Sequence, residues 1–508
     1  MAERFKPLGM DTSARPRCLP NTRLEHIQYI SEWVTSMSDD NVLWISGVAG
    51  AGKSTLINTI ADIYNDVRRL GAYIYFTDGP ALHGQPVHAI KTIAFRLAEF
   101  DSRLGVAIAE AAASGGDHKL NEPLTAQFEA LIADPINAMT ALADEGPIVI
   151  AVDAIDECGS AVDRKDLLRV LSESTSSLPR CFRFIVTSRP EPDIEASFSS
   201  SKTVRKHELD VGAEASKLDV EIYIRNRMKV LQVEHQLDWL VEDRVQKLIV
   251  KADGLFIWAS TVCNFLEQFP TIEGFDQFLA LTSSTSLDKM NHLYATALGA
   301  GPWHIPQFEL PCRSVLGVIF ASRMPLSCAA IDTLLRPAQP SATVTKWFKP
   351  VLRWSEKKPI RPLHASFTDY ITNSERCKAE PWFVDIPVQN SILADLCINH
   401  LDVALKENML GLILAPQGAR PWKDTGSALP EATAYACIHW ISHVSTVLDN
   451  DARHAAILRN VDVFLSKHLL HWVEAMSLLC QSRSCAVLLG QLSQWIPVSY
   501  LLASFSSL

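Results

Sequence analysis

Glycine, lysine and hydroxyl residues fall at a chemically suggestive spacing in Gly47-Val48-Ala49-Gly50-Ala51-Gly52-Lys53-Ser54-Thr55. Glycines let the backbone bend until successive N–H groups point into one concavity, which holds a polyphosphate together with the positive end of a following helix. At this spacing Lys53 reaches the terminal phosphates, and the Ser54 hydroxyl completes a magnesium shell. A second cluster, Asp153-Ala154-Ile155-Asp156-Glu157, gathers three carboxylates. Asp153, placed directly after an apolar run, can hold magnesium through water opposite Ser54. Asp156 or Glu157 is then a candidate base for polarising an attacking water, and crowding of like charges raises at least one carboxyl pKa, which suits that role. Arg189 follows another apolar run and could reach a γ-phosphate and report its presence. His364, at the start of a helix, would on its own be an ordinary structural residue.

These groups need a scaffold that brings them to one edge. Val42-Leu43-Trp44-Ile45 reads as a strand before the phosphate loop, with an apolar-periodic helix from Leu56 onward. A second strand is expected over 71–76, and a helix starting at Pro86 carries Val87, Ile90, Ile93, Ala94 and Leu97. The stretch Ala111 to Asn121 reads as a loop, and Pro123 to Ala143 as helical. Pro147 to Val152 is an unbroken apolar run of the kind found in a parallel sheet covered on both faces. Phe182 to Thr187 is a fourth strand. Strands alternating with helices predict a doubly wound α/β layer whose ligands bind outside the carboxyl ends of the strands. The phosphate loop, the acidic cluster and Arg189 all fall at such ends.

Beyond about Val211 the strand signals fade. Helices are expected over 218–230, 237–251 and 255–266, then a boundary within Pro270 to Ser286. Helices over 312–321, 328–335 and 344–352, a hairpin through Pro359 to Leu363 and a closing helix from His364 to Ile371 make a winged-helix outline. From Ser391 the chain reads as helical, with an apolar face of Val461, Phe464, Leu465, Trp472, Val473 and Met476. The expected organisation is a lead-in and helix over 1–40, an α/β nucleotide-binding domain over 41–210, a helical domain over 211–285, a winged-helix-like domain over 286–375 and a helical domain over 376–508. The fold class is thus an α/β P-loop NTPase, a parallel sheet flanked by helices, followed by helical, winged-helix-like and all-α regions.

The segments GVAGAGKST, VIAVDAIDECG, IVTSRPEPDI, ADGLFIWAST and PIRPLHASFTDYI, in this order, resemble the NACHT group of STAND nucleotide switches. The likeness is to the large fungal set whose NACHT module is similar to the nephrocystin-type N-terminal domain, and it covers about Cys18 to Trp472. The resemblance implies ATP or ADP bound by the glycine loop (Gly47, Gly50, Gly52) with Lys53, Ser54 and Thr55, and magnesium held by Ser54 and Asp153. It implies Asp156 or Glu157 as the catalytic acidic position, Arg189 as the sensor arginine, and His364 as the histidine that touches the β-phosphate of ADP. Thr22-Arg23 matches the family's element near the adenine. The chain lacks an NKxD-type guanine motif, so GTP is the less expected nucleotide. Many relatives of the broader class place a Pro by the adenine near Asp253-Gly254, whereas Phe256-Ile257-Trp258 follow here.

Composition narrows the rest. A formal net charge of −10 over 508 residues gives no basic stripe for a nucleic-acid partner. The eleven cysteines are scattered, without CxxC spacing, as for free thiols in a reducing compartment. The first 20 residues lack an apolar signal core, and no run is long enough to span a bilayer, so a cytoplasmic location is expected. Protein partners are expected through effector and sensor regions outside these residues, with homo-oligomers in the ATP-bound state. Two other readings share the phosphate loop: a kinase or motor-type ATPase with fast turnover, and a scaffold that keeps nucleotide for stability alone.

Overall fold

The computed structural model describes residues 5, 16–36, 38–77, 85–114, 122–139, 141–142, 145–280, 285–337, 339–355, 358–409 and 429–496. The chain divides into two compact units, Met1–Thr282 and Ser283–Leu508.

In the first unit, α1 (Leu24–Thr35) leads to β1 (Val42–Ser46), the glycine loop and α2 (Lys53–Asp66). Next come β2 (Leu70–Tyr75), α3 (Ala89–Phe100), α4 (Ser102–Ser114), β3 (Ile148–Asp153), α5 (Lys165–Ser172), β4 (Phe182–Ser188), α6 (Pro192–Ser199) and β5 (Val204–Glu208). Among the described residues the sheet has the order β2-β3-β4-β1-β5, and every pairing is parallel. Side chains alternate across a strand, so each strand feeds two cores. Val42, Trp44, Ile150 and Phe184 pack with α3 and α4 on one face. Leu43, Ile45, Ala151 and Ile185 pack with α1 and α2 on the other. Burial on both faces explains the apolar runs of β1, β3 and β4.

β5 is a strand that the apolar-run criterion passes over, because Val204-Arg205-Lys206-His207-Glu208 is polar. It lies at the sheet edge, bonded to β1 on one side. Helix α4 is a second departure: it continues through Ala111–Ser114, where a loop is expected, and 115–121 lie outside the described residues. The expected helix over 123–143 is broken into Leu124–Phe128, a π-turn at Glu129–Ala133 and Asp134–Asn137. Helices α7 (Glu214–His235), α8 (Glu242–Ala252), α9 (Phe256–Gln268) and α10 (Ile272–Ala280) complete the unit. Helix α10 occupies part of the stretch in which a boundary is expected.

The second unit opens with α11 (Ser286–Gly299), α12 (Pro306–Ala321), α13 (Cys328–Leu335) and α14 (Ser341–Thr345). An antiparallel hairpin of β6 (Leu352–Ser355) and β7 (Lys358–Pro362) follows, then α15 (Ala365–Ile371). Leu352 therefore starts a strand rather than ending a helix. These helices and hairpin form the winged-helix-like region. The helices α16 (Ile386–Ala404), α17 (Glu431–Val444), α18 (His454–Leu478) and α19 (Ser482–Trp495) then pack around Trp440, Phe464 and Trp472. Val473, expected on the buried face of α18, is 36% exposed.

Candidate nucleotide-binding site

The phosphate loop joins β1 to α2. Gly50 and Gly52 have φ of +80° and +90°, a region in which a side chain is strained. The first N–H groups of α2, from Lys53, Ser54 and Thr55, have no acceptor within their own helix and suit an anion. Gly47, which ends the strand run, donates its N–H to the Ser188 carbonyl at 3.3 Å and so ties the loop to the end of β4. The Lys53 ammonium donates to the Gly47 carbonyl at 2.6 Å and the Val48 carbonyl at 3.0 Å, folded back over the concavity. Burial lowers its pKa to about 8, with Asp156 opposing that shift and Arg189 adding to it.

Asp153 forms the floor. It is fully buried, and its Oδ1 accepts from Ser54 Oγ at 3.0 Å and Thr187 Oγ1 at 2.6 Å. Thr187 Oγ1 in turn accepts the Ala154 N–H at 2.9 Å. Ala154 adopts a left-handed backbone, φ +58°, and swings the chain into a short 3-10 turn, Ile155–Glu157. That turn sets Asp156 on the rim, beside Arg189 at the end of β4. Arg189 Nε lies 3.2 Å from Asp156 Oδ2, and Asp156 Oδ1 is buried without a hydrogen-bond partner among the described residues. Burial raises the Asp156 pKa, and the nearby Lys53 and Arg189 cations work against that rise. Glu157, half-buried, closes the turn.

Loop, floor and rim therefore meet at the carboxyl ends of β1, β3 and β4. Among the described residues no group of three or more His, Cys, Asp or Glu could hold a metal ion. The donor set fits magnesium nonetheless, since that ion keeps several waters and takes few protein ligands. Ser54 and Asp153 would hold it, and a bound nucleotide would supply the phosphate oxygens. The orphaned Asp156 oxygen is consistent with a polar group entering here.

Several residues that spacing does not single out shape the loop. A Cβ on Gly50 would lie 2.0 Å from Ile257 Cγ2, so the first turn of α9 presses on the loop from behind. The Ile257 N–H lies 3.4 Å from the Gly50 carbonyl. Asp253 and Gly254, φ +46° and +79°, turn the chain into α9, and a Cβ on Gly254 would lie 1.9 Å from the Val211 carbonyl oxygen. Arg23, 2% exposed, donates to the Ala51 carbonyl and to Ser216 Oγ at 3.2 Å, and it stacks over Phe256 at 4.8 Å. Its backbone N–H donates to Asp219 Oδ1 at 3.0 Å. Arg23 is thus a brace for the loop backbone. His364 lies in the second unit as the N-cap of α15, where its Nδ1 accepts the Ser366 N–H at 3.1 Å and lies 2.8 Å from Ser366 Oγ.

Residues 22–189 match the family model described as nephrocystin 3, N-terminal. That stretch resembles the nephrocystin-3 N-terminal module. That match spans the phosphate loop, the acidic turn and Arg189. Over 491 residues, 90% of the chain, the sequence is 23% identical to vegetative incompatibility protein HET-E-1 of Podospora anserina. The chain spans about a third of that relative's length, 34%. Together these findings uphold the fungal NACHT-like STAND character inferred from the motifs. A STAND protein with a tetratricopeptide repeat sensor from Pyrococcus horikoshii overlays 96% of this chain and 65% of its own, at 12% identity and a TM-score of 0.39. The Drosophila ORC structure bound to poly(dA/dT) DNA and Cdc6 overlays 93% and 69%, at 11% identity and a TM-score of 0.26. Overlays this loose add nothing on fold or function. None of the helices among the described residues is long and apolar enough to cross a membrane.

Proposed function

We propose that the chain is an ATP- and ADP-binding molecular switch of the STAND type, with slow hydrolysis, that controls oligomerisation or signalling. One observation carries the reading: Lys53, Ser54, Asp153, Asp156 and Arg189 converge at one edge of the sheet, and each belongs to a different part of phosphate chemistry. In this arrangement Lys53 and Arg189 already have partners, the loop carbonyls and Asp156, which a nucleotide would displace. A ligand shifts a two-state equilibrium only by its differential affinity for the states. Groups that exchange an internal partner for a phosphate supply such a difference. ATP or ADP with magnesium is the proposed ligand, and GTP is less favoured.

The resemblance to a vegetative incompatibility protein supports a signalling role, with protein partners reached through effector and sensor regions and a cytoplasmic setting. No nucleic acid is proposed as a partner. The family role of His364, retention of ADP, remains part of the proposal. So do the five domain boundaries.

Calorimetry with magnesium-ADP and magnesium-ATP tests the reading. The native chain is expected to bind both nucleotides, and Lys53→Ala to abolish binding. His364→Ala is expected to weaken ADP retention more than ATP binding. Equal affinities for the native chain and Lys53→Ala would overturn the site. Turnover well above about one per second would favour a working ATPase or kinase over a switch, since positioned phosphoryl transfer runs at 1 to 100 per second in kinases.

A further inference from the structure

We infer that Arg164 is a positioning residue that sets the separation of Asp156 and Arg189, a role that rests on the hydrolytic reading above. Arg164 lies at the N-cap of α5 and is 6% exposed. Its guanidinium is shared between the two loops that carry the rim. Towards one loop, Nη1 donates to the main-chain carbonyl of Asp156 at 2.8 Å and lies 3.5 Å from that of Gly159. Towards the other, Nε and Nη2 each donate at 2.7 Å to the two carboxylate oxygens of Asp193. Asp193 stands in the first turn of α6, shortly after Arg189, and Arg164 holds its carboxyl below the usual range.

One planar, rigid group therefore spans from the backbone of the acid to the helix that begins beyond the arginine. A bidentate fork fixes direction as well as distance, and lysine cannot reproduce it. The acid depends on this support. Among the described residues Asp156 Oδ1 has no hydrogen-bond partner, so the direction of its carboxylate follows from where its backbone is held and from Arg189, whose Nε lies 3.2 Å from Oδ2 and whose backbone N–H also bonds the carboxylate. The outer part of the same loop is secured separately, by the Ser160 N–H and hydroxyl donating to Asp163 Oδ2 at 2.9 and 2.7 Å. Arg164 acts at the inner part, where the geometry of the rim is decided. Displacing a group by about 1 Å can cost on the order of a hundredfold in rate while leaving ground-state binding in place.

The test uses the full chain and four variants: Arg164→Lys, Asp193→Asn, Asp193→Glu and the double variant Arg164→Lys/Asp193→Asn. Each is measured for magnesium-ADP affinity by calorimetry, for hydrolysis of saturating magnesium-ATP, and for folding by circular dichroism. Arg164→Lys and Asp193→Asn are expected to slow hydrolysis about 10- to 100-fold with ADP affinity within about twofold of the native chain. The double variant should be no slower than the slower single one, because the pair acts as a unit, and Asp193→Glu should recover most of the rate. If Arg164→Lys fails to fold, the Asp193 pair carries the same comparison. Unchanged hydrolysis, or a loss of ADP affinity in parallel with rate, would overturn the positioning role alone. A native chain that binds ADP but never hydrolyses ATP would overturn the role and leave the binding site standing. A native chain that binds neither nucleotide would overturn the functional reading, and this inference with it.

Discussion

Asp153 at the floor and Asp156 at the rim are near neighbours in sequence, yet they are held in opposite ways. Asp153 is fully buried and receives two hydroxyl donors, one from the phosphate-loop helix and one from β4. Asp156 faces the Arg189 and Lys53 cations through one oxygen, and its Oδ1 is buried with no hydrogen-bond partner among the described residues. A buried acceptor with its donors in place stabilises the fold, whereas a buried oxygen without one costs free energy. The floor is accordingly built to stay as it is when a ligand arrives, and the rim to change partners. Ala154, with its left-handed backbone, separates the two environments within a single residue.

That division can be broken at the rim first. Asp156→Asn keeps the shape but removes the charge, and hydrolysis is expected to fall about 100-fold or more, the range for loss of a positioned base. Its melting temperature should hardly move, because the native carboxylate gains little from a site that raises its pKa. If Glu157→Gln abolished hydrolysis while Asp156→Asn did not, the base would be Glu157 and the rim contrast would need redrawing. At the floor the order of effects reverses. Thr187→Val deletes a donor to Asp153 and the acceptor of the Ala154 N–H, and should destabilise the protein by about 2 kcal/mol in denaturant unfolding. A loss well under half of that would mean the floor is not the fixed part.

The smallest effect is the pH dependence of binding. Lys53 titrates at about 8 before the ligand arrives, and only the ammonium form suits a phosphate. Affinity for ADP should therefore fall roughly twofold from pH 7 to pH 8 and more steeply above, until the pKa of the complex is reached. Calorimetry across that range would show it, and a flat profile to pH 9.5 would place the Lys53 pKa near its ordinary value.

The phosphate loop and the acidic turn are legible from sequence because their chemistry is written in contiguous residues after apolar strands. Residues brought in from a distance are not. Thr187 meets Asp153 from 34 positions away, and Arg23, matched above with an element near the adenine, instead meets the Ala51 carbonyl from 28. Ile257 touches Gly50 across the whole sheet sequence, where only the mismatch of Phe256-Ile257-Trp258 with the expected Pro hints at a different wall. The polar β5 and the alanine-rich end of α4 escape notice for a related reason. An edge strand need not be apolar, and small residues leave little periodicity to read.

The polar edge strand has a bearing on how copies of the chain could meet. An open strand edge is a template for adding further strands. On β5, Arg205 is paired with Asp40, and Lys206 with Glu195 at 2.9 Å, so charged side chains line the end of the sheet. Charge of this kind discourages edge-to-edge growth. Pairing of one copy's sheet with another's through β5 is therefore disfavoured, however close the copies come.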